Sequence, residues 1–144
     1  MSHFYLNRFV DAQKTSYADA LSEIRSGQKR SHWIWYIFPQ LKGLGFSSMS
    51  QTYGLANIAE ARAYLADPIL GQRLRESVEA MLAHESLDAN LILGELDAMK
   101  FRSCLTLFSF ADPTDRLFID ALDRFFAGTR DTTTIELLKL HGEV

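Results

Sequence analysis

Signals that begin and end helices are spread along almost the whole chain. Residues that cap helix N-termini, or prolines that fit a first helical turn, stand just ahead of apolar residues spaced three and four apart. These start signals are Ser16 with Asp19, Asn57 with Glu60, Asp67-Pro68, Asp112-Pro113 and Thr133 with Glu136, and the matching stops are Gly27, Gly128 and Gly142. No two alternating segments are joined by a tight Asn-Gly or Asp-Gly turn. The chain is therefore predicted to be all-α, a compact multihelical bundle.

The length and apolar content of the chain suit one folding unit. Its 144 residues, of which 47% are hydrophobic, are enough to enclose one core. No repeat, low-complexity segment or linker divides them. We predict a single globular domain over residues 1–144, and leave open whether it is a monomer or a weak homodimer.

Charge and cysteine content exclude several classes of protein. A net charge of −3 provides no positive field for nucleic acid or anionic lipid. The single cysteine rules out an internal disulfide and fits a reducing compartment. The first residues lack the apolar core of a signal peptide, and no apolar run is long enough to cross a bilayer. We therefore expect a cytoplasmic protein that binds neither nucleic acid nor membrane.

The segment from about residue 95 to 110 is predicted to be a buried central helix. Its apolar residues, Leu96 and Met99 among them, cover most of a helical wheel, and such a helix belongs inside a domain. Five further residues share one narrow arc that we predict to face solvent: Glu95, Ala98, Arg102, Thr106 and Ser109.

Three polar residues of this helix fall among its apolar residues instead. Asp97, Lys100 and Ser103 are spaced three apart, and charges on a buried face are costly unless they are paired or opened to a cavity. One interpretation is structural, with an Asp97–Lys100 bridge and Ser103 bonded to a carbonyl of its own helix. The other is a polar pocket with this helix as its floor.

The segment from Lys29 to Ser50 gathers both tryptophans with polar residues. Trp33 and Trp35 must be buried or must bind something, because large aromatics are costly to leave in water. His32 and Gln40 offer a titratable ring and an amide beside them. We interpret residues 33–38 as a short buried helix, although a strand has the same propensities.

Other chemistry is weakly indicated. The loop 42–48 is glycine-spaced with serines behind it, but it lacks the full phosphate-loop pattern, so a plain turn is the simpler interpretation. Cys104 lies on an apolar helix face, where a thiol stays protonated and inert. The histidines, His3 included, show no metal-ligand spacing. We therefore predict neither a metal nor a cofactor.

Three stretches of the chain resemble one known family. They are SHWIWYIFPQLKGLG at 31–45, EARAYLADPILGQRL at 60–74 and DAMKFRSCLTLF at 97–108, together with Tyr53. They are similar to the bacterial domain-of-unknown-function family 1810, over nearly the whole chain from about Tyr5 to His141. The resemblance implies a mainly helical fold and no established activity, and it suggests a second serine where this chain has Cys104. Genomes sometimes label such proteins calpastatin, but calpastatins are disordered, unlike this aromatic, well-capped chain.

Three functions remain open from sequence. The first is a pocket for a small anionic, nucleotide-like ligand between the HWIWYIFPQ and DAMKFRS segments, with His32, Trp33, Trp35, Gln40, Asp97, Lys100 and Ser103 as the binding residues. The second is an interaction module without catalysis that uses exposed tryptophans as anchors. The third is a hydrolase or transferase for an anionic metabolite, with His32 or Asp97 moving a proton beside Lys100.

Overall fold

The structure, a computed structural model, describes residues 4–144. Within them there are nine helices and no strand, so the all-α prediction is confirmed. In chain order the helices are α1 (Asn7–Ser26), α2 (Ile34–Ile37), α3 (Ser48–Tyr53), α4 (Ile58–Ala66), α5 (Leu70–Leu82), α6 (Ala89–Leu93), α7 (Glu95–Ala111), α8 (Arg116–Phe126) and α9 (Thr132–Leu140). None of these helices is long and apolar enough to span a membrane.

The central helix predicted at about 95–110 is α7. It packs against α4, α6, α8 and α9 and also touches α2. Phe101 and Phe108 lie fully buried one above the other along it. The Phe101 ring centroid lies 4.6 Å from that of Phe38, and the Phe108 centroid lies 5.7 Å from Tyr64 and 5.6 Å from Phe118. An aromatic column therefore ties the middle of the fold to this one helix.

The capping pair predicted before α4 is present, except that Glu60 reaches back to Ala56 N, one residue ahead of the N-cap, and not to Asn57 N. The Asn57 side chain accepts a hydrogen bond from Glu60 N at 2.9 Å, and Glu60 Oε1 accepts from Ala56 N at 2.8 Å. The same carboxylate pairs with Arg8 at 3.0 Å. The predicted stop at Gly27 is also confirmed, since Gly27 takes a left-handed conformation with φ 83° after α1.

Three predicted helix starts are wrong by part of a turn or more. The first helix, α1, begins at Asn7 and already contains Ser16, whose hydroxyl instead accepts from Tyr36 at 3.2 Å. Asp115, not Asp112, caps α8, and Asp131, not Thr133, caps α9. A side chain that can cap is compatible with several neighbouring positions, so packing decides which one is used.

The helix interpretation of residues 33–38 is confirmed, but α2 is only a single turn. The chain turns out of it at Pro39, and the next residues run beside residue 55. Leu55 N donates to Gln40 O at 2.8 Å, and Lys42 N donates to Leu55 O at 2.7 Å. This isolated bridge holds the backbone of Gln40 in place next to the core.

The solvent-facing arc predicted for α7 is wrong for three of its five residues, although Glu95 is exposed as predicted. Ala98, Thr106 and Ser109 are buried, whereas Leu96 is 74% exposed and Met99 is 62% exposed. The helical-wheel pattern therefore predicted a central helix correctly but placed the wrong residues of that helix in solvent.

Hydrogen bonding within α7 explains how its hydroxyls are buried. Thr106 Oγ1 donates to Arg102 O at 2.8 Å and Ser109 Oγ donates to Thr106 O at 2.7 Å. Thr106 Oγ1 also accepts from Asp131 N at 2.9 Å, which places the start of α9 against it. Small side chains whose polar atoms are satisfied let a neighbouring helix approach closely, so they pack as a core face.

Candidate functional site

Two adjoining cavities lie between α7 and the segment that runs from α2 to the start of α3. The large cavity, of about 410 Å³, has Phe46 on one side and Met99 of α7 on the other. The small cavity, of about 190 Å³, has His32 on one side and Asp97 of α7 on the other. Both cavities are lined by Trp35, Ser47 and Lys100. They therefore form one trough, which we name the α7 groove.

Six of the seven residues predicted to bind a ligand line the α7 groove: His32, Trp35, Gln40, Asp97, Lys100 and Ser103. Trp33 lines neither cavity. It is fully buried, its ring contacts Phe38 edge-on, and its Nε1 donates to Glu23 at 3.0 Å. Because Trp33 and Trp35 are both buried, neither is available as the exposed anchor that the interaction-module hypothesis requires.

A single carboxylate holds the loop that carries His32. Glu23, on α1, accepts from Arg30 N at 2.6 Å, from Ser31 N at 2.9 Å and from the Ser31 hydroxyl at 2.6 Å, besides the bond from Trp33. Partial burial would raise the pKa of this carboxyl, but the hydrogen bonds from Ser31, Arg30 and Trp33 outweigh it and lower the pKa of Glu23 to about 2. The ionised carboxylate thus fixes one wall of the small cavity.

A close backbone approach shapes the other end of the groove. A Cβ placed on Gly45 would lie 3.2 Å from Ser50 Cβ and 3.5 Å from the ring of Trp35. Glycine at this position therefore lets the loop lie close to Ser50 of α3, with Trp35 at an ordinary contact distance, and the next residue, Phe46, borders the large cavity.

The charges of the groove are arranged around Asp97, in the first turn of α7. Lys29 Nζ lies 2.9 Å from one carboxylate oxygen, and Lys100 Nζ lies 3.4 Å from the other. The side chain of Lys29 is only 8% exposed and its ammonium also lies 4.9 Å from the Trp33 ring centroid, whereas Lys100 is 37% exposed. Lys29 is therefore a structural partner of Asp97, and Lys100 faces the open groove.

The polar residues on α7 show features of both interpretations, the structural ion pair and the polar pocket. The Asp97–Lys100 bridge exists, and Ser103 Oγ donates to Met99 O at 3.2 Å, as the structural interpretation predicts. The same residues nevertheless border open space, since Lys100 lines both cavities and Ser103 lines the large one. The ion pair is thus not a sealed, dry contact.

Gln40 is a buried polar side chain of the groove whose hydrogen bonding is incomplete. It is 1% exposed, and its Nε2 has no hydrogen-bond partner among residues 4–144. Over those residues the only other such buried side-chain atom is Glu143 Oε2, whose companion oxygen accepts from Ile58 N. Most buried polar groups in proteins are paired, so an unpaired amide on a cavity wall needs an explanation.

Sequence reasoning missed several groove residues. Lys29 was not singled out because it stands in an ordinary charged stretch, next to Arg30. Leu96 and Met99 were assigned to the core, and Phe46 had only its glycine neighbour as a signal. Only the folded chain reveals them, because it leaves Phe46, Leu96 and Met99 exposed beside the large cavity and brings Lys29 to Asp97.

Other features of the described chain lie outside the α7 groove. A concavity of about 500 Å³ beside α5 has two of its charged groups committed, since Arg75 bonds Asp115 and Glu76 accepts from Tyr17. Burial raises the pKa of the Cys104 thiol well above its usual range, as the inert interpretation predicted. No three side chains of residues 4–144 are grouped to hold a metal ion, and His3 lies outside these residues.

Comparison with known proteins identifies the family. A family model described as "Protein of unknown function (DUF1810)" matches residues 3–138, so the chain belongs to that family. No curated protein matches it. The crystal structure of the conserved hypothetical protein Rv1873 from Mycobacterium tuberculosis is similar, with 38% sequence identity, a TM-score of 0.93, and coverage of 96% of this chain and 99% of that one.

Proposed function

We propose that this member of the DUF1810 family binds a small anionic, nucleotide-like ligand in the α7 groove. The observation that carries the proposal is the unequal pairing around Asp97. Lys29 and Lys100 share this one carboxylate, so these three groups carry a net positive charge, and Lys100 is the partner that faces open space. The other carboxylate of the groove, Asp131, accepts hydrogen bonds from Thr134 at the start of α9.

The position of Lys100 suits an anion in particular. It lies on the stretch of wall that the two cavities share, and its ammonium is held by Asp97 at 3.4 Å, which is a loose contact. An anion that approaches from the groove would form a shorter, charge-assisted bond in a partly desolvated site. His32 lies on the same small cavity and adds ring nitrogens that can donate or accept hydrogen bonds.

The nucleotide-like character comes from the aromatic and thioether surfaces beside the charge. Trp35 borders both cavities, and Met99 borders the large one. A flat ring gains contact area from such side chains, because indole and thioether groups are polarisable and pack well on ring faces and edges.

A binding titration tests the proposal directly. Calorimetry with adenosine monophosphate, adenosine and inorganic phosphate would measure separately how much the ring and the phosphate contribute to the affinity. We expect the monophosphate to bind tightest, and Lys100→Met to weaken it about tenfold, as expected when a charge-assisted hydrogen bond is lost. The affinity of wild type should also fall with added salt.

Lys139→Met is the matched control, because Lys139 is an exposed lysine in the last turn of α9. It should leave the affinity unchanged. Equal losses in Lys100→Met and Lys139→Met, or no binding of any anion, would contradict anion binding in the groove.

A further inference from the structure

Gln40 offers the starting observation. Its amide is almost wholly buried on the wall of the large cavity, and its Nε2 finds no acceptor among residues 4–144. An amide N–H withdrawn from water without a partner costs free energy, so folded chains rarely keep one. A site that receives an acceptor from a ligand is the physical situation in which such a group is useful.

The backbone around Gln40 leaves this amide little freedom to move away. The residue follows Pro39, and its carbonyl accepts from Leu55 N at 2.8 Å. Lys42 N donates to Leu55 O at 2.7 Å, so the backbone that follows Gln40 is tied on both sides of Leu41 to residue 55. The backbone that carries the Gln40 amide is thus held in place beside the cavity.

The rest of the large cavity is suited to an apolar body. Phe46, Leu96 and Met99 all border it, and they are 96%, 74% and 62% exposed. Three large apolar side chains gathered at one opening lose contact with water when a flat group covers them, and that burial is favourable.

The charged residues that border this cavity do not require a second charged group on the ligand. Besides Lys100, the cavity is bordered by Asp131, whose carboxylate accepts from Thr134 N at 2.9 Å and from the Thr134 hydroxyl at 2.6 Å. Because Asp131 caps α9 with this oxygen, its charge is already stabilised by the helix terminus. We therefore assign Asp131 to the fold and give it no role in ligand binding.

We infer that the large cavity takes a flat ring system that presents a hydrogen-bond acceptor to Gln40 Nε2, with the ligand's anionic group directed to Lys100. This inference rests on the proposed anion site and specifies the ligand class as an aromatic or heteroaromatic acid with an acceptor at the end opposite its charge. The ring covers Phe46, Leu96 and Met99, and the acceptor completes the hydrogen bonding of the buried amide.

Two probes of nearly identical shape test the acceptor. Quinoline-6-carboxylate carries a ring nitrogen across from its carboxylate, and 2-naphthoate has a C–H there. We expect quinoline-6-carboxylate to bind wild type about fivefold more tightly at neutral pH, the gain expected from one neutral hydrogen bond. Gln40→Leu should abolish the preference, whereas the exposed control Gln72→Leu should keep it.

The outcomes of this titration distinguish the acceptor inference from the proposed anion site. Equal affinity of the two acids in wild type, with binding still dependent on Lys100, overturns the acceptor inference and leaves the anion site standing. Binding of neutral quinoline as tight as its carboxylate, unaffected by Lys100→Met, overturns the anion site but not the ring contact. No binding of any probe overturns both. If Gln40→Leu does not fold, Gln40→Met serves in its place, and preserved preference in either folded variant counts against the inference.

Discussion

The two sides of α7 differ in how completely the fold covers them. On the core side, Phe101 and Phe108 are fully buried and surrounded by aromatic rings from other helices. On the groove side, Met99 is mostly exposed and Lys100 shares a carboxylate with a better-buried lysine. Both sides carry large apolar residues within one helix, so burial here is decided by what packs opposite rather than by residue type.

The difference indicates which side of α7 still has groups that can form favourable contacts with a ligand. The core side has exchanged its contacts with water for contacts with protein. The groove side keeps apolar surface, a loosely held ammonium and an unpaired buried amide, which are groups that gain free energy when a ligand arrives. The following predictions measure this difference, starting with the largest effect.

Truncating one large side chain on each side of α7 should separate the two sides most clearly. Phe108→Ala leaves a cavity in the aromatic column and should lower the free energy of unfolding by about 3–5 kcal/mol. Met99→Ala removes an exposed side chain and should change it by no more than about 0.5 kcal/mol. Urea denaturation of both variants measures these values. Similar losses in the two would show that Met99 is covered in solution and that the groove is not open there.

Glu23 lies on α1 and holds the loop that forms one wall of the groove. A substitution of Glu23 therefore measures how much this wall contributes to the stability of the fold. Glu23→Gln weakens several hydrogen bonds to a charged acceptor and should cost about 1–2 kcal/mol at pH 7. Folding lowers the pKa of Glu23 from 4.5 to about 2, so its stabilising contribution is present above pH 4.5 and is lost as the pH falls toward 2.

Thermal melts of wild type and Glu23→Gln over this pH range check the sign. The gap between their melting temperatures should be widest at neutral pH and should narrow as the pH falls below 4.5. Glu85→Gln, at an exposed position, should show no such gap. A gap that widens on acidification would contradict the assigned role of Glu23.

Much of the fold was predictable because helix boundaries depend on local hydrogen bonding. The Asn57–Glu60 capping pair and the Gly27 stop involve residues close in sequence, so their spacing is sufficient to predict them. The central position of α7 followed from its apolar content. The starts of α8 and α9 were displaced because Asp115 and Asp131 cap equally well and packing selects between neighbouring candidates.

The candidate site was predictable from the aromatic cluster around His32 and Trp35 and from polar residues placed in an apolar setting. Asp97 and Lys100 were conspicuous for that reason, and Gln40 for its place after a proline. The exposure of Leu96 was not predictable, because a wheel assumes that apolar residues face inward, and here buried Thr106 and Ser109 are satisfied by carbonyls of their own helix. Which side of a helix is covered depends on distant segments, and one sequence does not reveal them.

Removing the unpaired amide should stabilise the free protein. Gln40→Leu replaces a buried donor that has no partner by an apolar group of similar size, so the free energy of unfolding should rise by about 1 kcal/mol. Residues kept for binding often reduce stability in this way. Ser103→Ala is the matched comparison, because the Ser103 hydroxyl already donates to Met99 O, and it should give no gain. A loss of stability in Gln40→Leu would show that the amide has a partner in the folded chain.

The smallest expected change in stability is the one caused by Lys100→Met. It shows whether Lys100 serves binding or holds the fold together. Lys100→Met leaves Asp97 paired with Lys29 at 2.9 Å, so no charge is stranded and stability should change by less than about 0.5 kcal/mol. Lys29→Met should cost clearly more, because it removes the closer and better-buried partner together with its contact to the Trp33 ring. Chemical denaturation of the two single variants ranks them. If Lys100→Met is the more damaging of the pair, and adding Asp97→Leu restores stability, then Lys100 is part of the scaffold and the groove loses its free positive charge.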